Sequence, residues 1–189
     1  MPTMHDIRSA PVRTVLPTLL PITLEEAKDE LDIIDDTSMD VRITNLIRAA
    51  VDIFERDTQR VLMSQTWQLN LDGFPCGPIE LCKVPVAAVS FVKYITGGTL
   101  TTLSTSLYET DLVTEPCRVM HVSTSYWPTT DITLNAVTVE WTAGYASQAL
   151  VPAGIKDVIK YIVLHLFRRC DLSDNYWTMI RRYRADWYF

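Results

Sequence analysis

Apolar and polar residues alternate along this chain with two different periods, and the change of period divides it. In "ITLEEAKDEL" Thr23 stands three residues before Glu26, the spacing of a capping box, and Glu25 and Glu26 suit the positive end of a helix dipole. A short helix is expected from there to about Ile34. A polar stretch, "DDTSMD", follows, with Thr37 and Asp40 spaced to cap a second helix that runs to about Arg60. Ile43, Leu46, Ile47, Ala50, Phe54 and Val61 recur at three-four spacing, a buried stripe, whereas Arg42, Arg48, Asp52, Glu55 and Arg56 fall off it. Ala49 and Ala50 leave room for another helix to approach.

From residue 66 the period shortens to two. Trp67, Leu69 and Leu71 share one face of "TWQLNL", opposite Thr66, Gln68 and Asn70, which is a half-buried strand. "IEL" and "AAVSFVKYI" read as strands around Pro85, and the paired glycines of "YITGGTLTTL" supply the positive φ that a tight hairpin turn requires. Residues 103–135 are irregular apart from a strand at "RVMHV", and "AVTVEW" closes the sheet. Beyond Gly144 a short polar loop leads to Pro152, after which a helix runs from about Ala153 to Arg169. Its block Tyr161 to Phe167 is apolar on nearly every side, so the helix needs cover on more than one face; Tyr161, Val163, Leu164 and Phe167 are the candidate contacts with a neighbouring subunit.

The ends differ from the middle. Pro11, Pro17 and Pro21 interrupt residues 1–21, which read as an extended arm; 22–170 form the core domain; 171–189 form a C-terminal docking tail. That tail interleaves Arg181, Arg182 and Arg184 with Trp177, Tyr183, Trp187, Tyr188 and Phe189, and Trp, Tyr and Arg are the usual interface anchors. The class is α+β: a small helical bundle with a small antiparallel sheet and extended arms.

Composition narrows the possibilities. With 189 residues, 48% hydrophobic and 21% charged, the chain is globular rather than disordered. Its net charge of −6 argues against general duplex binding, which depends on neutralising phosphates. No secretory leader is read in the proline-broken N-terminus, and "YIVLHLF" is far too short to span a bilayer, so a cytoplasmic product without a membrane role is expected. Cys76, Cys82, Cys117 and Cys170 lack paired spacing, and buried free thiols are expected.

Familiar chemistry is not found. His5, His121 and His165 carry no catalytic or metal-binding signature, and His165 and Cys170 point away from one another on a helix. Gly97 and Gly98 lack the context of a phosphate loop, and the acids of "EEAKDELDIIDD" lack the pattern of a calcium loop. Neither cofactor nor metal is expected.

The order of "PITLEEAKDEL", "IRAAVDIFERDTQRVL", "SQTWQLNLDGFP", "IELCKVPVAAVSFVKY" and "VEWTAGYASQALVPAGIKDVIKYIV" resembles the head-to-tail connector (adaptor, head-completion) proteins of tailed bacteriophages over residues 20–170. That family often has Thr-Gly-Arg where this chain has Thr58, Gln59 and Arg60. The resemblance implies a ring, usually twelvefold, that attaches to the portal protein in the virion neck, extends the channel through which genomic DNA passes, and receives the next neck or tail component. It makes Trp177, Arg181, Arg182, Arg184, Trp187, Tyr188 and Phe189 the candidate portal contacts. Gly144 and Pro152 would then be a hinge that sets the angle between sheet and last helix, on which ring closure depends. Three other readings stand beside it: another neck or tail-completion ring, a nucleic-acid binder using the C-terminal arginines, and an enzyme with a site assembled from distant segments.

Overall fold

The computed structural model describes residues 10–185, and the chain is α+β. It forms two compact units, one made of the residues up to Leu16 with Gln65–Ala143, the other of Pro17–Ser64 with the residues from Gly144 onward.

The first unit is built on two β-sheets, with one 3-10 turn over Thr105–Leu107. A five-stranded antiparallel sheet has the order β1 (Val12–Val15), β2 (Gln65–Leu71), β8 (Val137–Ala143), β4 (Val86–Thr96), β5 (Thr99–Thr102). β1 lies inside the expected arm; it exists because it pairs with β2, Val12 opposite Gln68, and not because of any local pattern. β8 does not close the sheet but occupies its centre, bonded on both sides, with Val137, Val139, Trp141 and Ala143 buried. Burying the two valines contributes about 1.5–3 kcal/mol each. The fully buried Trp141 donates its ring N–H to the Lys83 carbonyl at 3.3 Å, which satisfies its single polar atom.

Gly97 and Gly98 have φ of 57° and 74°, so the expected hairpin between β4 and β5 is present. Both glycine amides donate to one carboxylate, that of Asp131, at 2.9 and 2.7 Å. Asp131 in turn donates its own amide to the Ile95 carbonyl at 2.9 Å, fixing the loop before β8 against the hairpin.

A second antiparallel sheet has the order β3 (Ile79–Leu81), β7 (Cys117–His121), β6 (Tyr108–Asp111); β3 and β7 fall on the strands expected at "IEL" and "RVMHV", and β6 lies in the stretch expected to be irregular. Asp111 and Arg118 face each other across it and form a 2.6 Å ion pair. The Arg118 guanidinium, with the Thr114 hydroxyl, holds the Asp111 carboxyl well below the usual carboxylate range.

The second unit is helical. α1 (Leu24–Glu30) starts with the expected capping box: Thr23 Oγ1 accepts from the Glu26 amide at 3.0 Å and Glu26 accepts from the Thr23 amide at 2.7 Å. It ends four residues sooner than Ile34. α2 (Asp40–Thr58) begins after Met39 without a side-chain cap, so Thr37 does not cap it; Asp40 instead accepts from the buried Lys28 ammonium at 2.8 Å, tying α2 to α1. α2 ends at Gln59, whose φ of 59° is left-handed. A glycine would adopt that backbone freely, whereas a side chain there costs roughly 1–2 kcal/mol. α3 (Ala153–Arg168) and α4 (Asp174–Ile180) complete the unit, with Ile43, Ile47, Phe54, Ile155, Ile159 and Tyr176 among its fully buried residues. α2 packs on α3, and Ala50 is completely buried.

Candidate interaction surfaces

The C-terminal segment separates its residues by direction. Ser173 accepts from the Asn175 amide and opens α4, whose Tyr176 and Ile180, four apart, are both fully buried in the helical core. A 3-10 turn over Arg181–Tyr183 follows. The Tyr183 ring packs at 6.1 Å from Phe54, its carbonyl accepts from Arg60 Nε, and the Ala185 amide donates to the Thr58 carbonyl at 2.9 Å. Residues 174–185 therefore fold onto the end of α2 in their own protomer.

On the outer side stand Trp177, which is 54% exposed, and the exposed Arg181, Arg182 and Arg184. Arg182 lies over the Tyr183 ring at 4.8 Å, a contact that holds the guanidinium at the surface without burying it. Four of the seven candidate portal contacts thus share one short segment. Trp187, Tyr188 and Phe189 lie outside the described residues.

The expected subunit-facing residues of α3 differ in exposure. Val163 is fully buried in the helical core and offers nothing to a neighbour. Tyr161, Leu164 and Phe167 are half-buried. The Tyr161 hydroxyl bonds Ser173 Oγ at 2.6 Å, and Arg42 covers Phe167 at 4.8 Å. The cover that an all-round apolar helix demands comes chiefly from α2, with α1 and α4 also packed on α3.

Gly144 and Pro152 sit where the chain changes character. Gly144 is buried with φ of 99°, and a Cβ there would overlap the Met63 carbonyl. Beside it Tyr145 donates to the Leu62 carbonyl at 2.9 Å and accepts from the Ser64 amide at 3.0 Å. Pro152 is the N-cap of α3, where its missing N–H costs no helical bond. Between them, Gln148 Nε2 donates to the Leu20 carbonyl at 2.7 Å. These bonds all lie within the helical unit and hold the segment against Leu20 and residues 62–64.

The remaining chemistry is scattered. His121 lies beside Tyr126 and Trp127, and its Nδ1 is 3.0 Å from the Val122 carbonyl. His165 stacks on Tyr161 at 4.1 Å, with Nδ1 2.9 Å from the Tyr161 carbonyl. Neither faces a carboxylate in these contacts, and His5 lies outside the described residues. Among the described residues no three His, Cys, Asp or Glu side chains gather at metal-binding distance. Burial pushes the Cys117 thiol up, but Cys76 and Cys170 are exposed and Cys82 is half-buried, so the expectation of buried thiols holds for Cys117 alone. No helix among the described residues is long and apolar enough to cross a membrane.

No protein-family model matches the chain, and no curated protein matches it by sequence. Solved structures do. A chain in the neck of an empty gene transfer agent (GTA) particle, computed with C6 symmetry, matches at a TM-score of 0.79 with 19% identity, over 96% of this chain and 98% of that one. A chain in the virion of a native GTA particle matches at 0.78 with 18% identity, over 96% and 98%. A third, in the neck of a native GTA particle computed with C12 symmetry, matches at 0.70 with 20% identity, over 93% and 97%. At these identities the likeness is one of fold, and it runs almost from end to end.

Proposed function

We propose that this chain is a structural protein of a phage-like virion neck, repeated around the particle axis as an adaptor ring. The ring sits on the portal vertex, extends the DNA channel and presents a platform to the next neck or tail component. One observation carries the reading: the near full-length fold match to chains in GTA particles, two of them from necks computed with C6 and C12 symmetry. Twelve copies is the number the second of these supports. The role is mechanical rather than catalytic, in keeping with the surroundings of those structural relatives.

The outward Trp177, Arg181, Arg182 and Arg184 suit a docking surface, because an aromatic anchor beside arginines supplies both apolar contact and charge-guided register. The net charge of −6 suits a channel wall along which phosphate slides instead of sticking.

Electron microscopy of particles carrying this chain tests the reading. A ring of copies touching the portal is the expected result. A single unrepeated copy, or a position in the tail away from the head, overturns it. A ring that touches only other neck or tail proteins favours the tail-completion alternative.

A further inference from the structure

Two apolar patches lie at opposite corners of the five-stranded sheet. At one corner Val12, Val15 and Leu16 are 58%, 55% and 66% exposed, along the outer side of β1 where Val15 pairs with the start of β2 at Thr66. At the other, where β4 turns into β5 and beyond the far end of β2, Leu100, Ile132 and Leu134 are 59%, 107% and 77% exposed. Ile132 and Leu134 are not on a loose loop. Asp131 clamps the segment to the hairpin glycines, and the Asn135 amide donates to Asp72 at 2.8 Å. The backbone is thus built to hold apolar side chains out in water, which is unfavourable unless something covers them.

The patches also differ in charge. Arg13 stands in the first, steadied by a 3.1 Å bond to Gln65 Oε1. Asp72 and Asp131 flank the second. A self-complementary contact uses one patch twice, whereas two separate patches of opposite charge at opposite corners of one sheet suit a head-to-tail contact, the kind that closes into a ring.

We propose that these two corners are the halves of one contact between copies of this chain: Val12, Val15 and Leu16 of one copy cover Leu100, Ile132 and Leu134 of the next. The proposal deepens the ring reading and rests on it. Three aliphatic side chains a side bury much less than the ~800 Å² per partner of a stable pairwise complex. Each contact is therefore weak in isolation, and copies associate firmly only when a template holds many of them together.

The test places a photoreactive benzophenone side chain at position 132 of the full chain and irradiates neck-bearing particles. The expected products are a ladder of chain multiples, with adducts mapping to residues 12–16. Adducts on another polypeptide or another region of a second copy, or no adduct in particles that carry the ring, overturn the contact and leave the ring standing. Microscopy showing no repeated copies removes the ring itself. A second arm uses Val15→Asp and Ile132→Asp, both at exposed positions. Each alone should lower neck occupancy at least tenfold, and co-expressing the two, which leaves at most every second contact intact, should not restore it. Wild-type occupancy for both single variants places the contact elsewhere.

Discussion

The hydroxyl of Tyr176 donates a 2.7 Å hydrogen bond to the carboxylate of Asp57, across 119 positions of sequence. Tyr176 is completely buried, and Asp57 also pairs with Arg56 at 2.8 Å. This bond makes α4 part of the helical unit. Replacing Tyr176 with Phe keeps the ring and removes the bond, and hydrogen bonds to charged groups contribute about 1.5–3 kcal/mol. Chemical denaturation of Tyr176→Phe should show a loss of that size.

The same tyrosine sets an alkaline limit. Burial first, and the bond to Asp57 second, raise its pKa above the ordinary value of 10.0. The folded state disfavours the phenolate, so the stabilisation is complete below pH 10 and is lost as pH rises toward the higher folded value, where only the unfolded chain ionises this group readily. Stability should fall between pH 10 and 12, and Tyr176→Phe should flatten part of that fall.

Gly144→Ala meets two obstacles. A left-handed backbone costs a side chain about 1–3 kcal/mol, and the added methyl collides with the Met63 carbonyl, which cannot turn aside without losing the neighbouring backbone bonds of Tyr145. The variant should lose more stability than the backbone term alone. A change under 1 kcal/mol in denaturation would mean that this junction yields.

Truncation separates docking from folding. Removing residues 177–189 strips Ile180 and Tyr183 from the helical core, and losing a buried isoleucine alone costs about 2–5 kcal/mol. That shortened chain should fold poorly. By contrast, Trp177→Ala with Arg181→Ala leaves the core in place and forfeits chiefly the Trp177 ring's contact with Tyr176, so stability should fall by only about 0.5–1.5 kcal/mol. If this segment holds the portal, the double variant should fold normally yet give heads without the ring.

Strong chelation should leave the melting temperature unchanged, because the described residues hold no cluster of metal ligands. A fall reversed by one added metal would point to a site elsewhere in the chain.

The parts of the fold legible in the sequence are those specified within a few residues. Thr23 and Glu26 cap α1 through bonds three positions apart, and Gly97 and Gly98 make their own turn. The helix after Pro152 began one residue on, at Ala153. The missed elements depend on distant partners. β6 presents exposed Glu109 and Thr110, which read as loop until β7 pairs with them. β1 lies between Pro11 and Pro17 and has no local reason to be a strand. In the C-terminal segment, aromatic and basic residues read as a sticky surface; the signal overlooked was Tyr176 and Ile180, one helical turn apart and pointing the same way. Val163 misled because an apolar helix does not show in sequence which of its faces the same chain will cover.

The hairpin glycines carry one more consequence. Two adjacent, outward amides at a Gly-Gly turn are the kind of feature that grips a passing anion. Here the Asp131 carboxylate already accepts from both. Because it is tethered, it competes at the millimolar effective concentration of an intramolecular ligand, and any phosphate that arrived would meet its charge as well. The chain carries its own resident competitor, so the turn most like a phosphate cradle is the one least able to hold a phosphate.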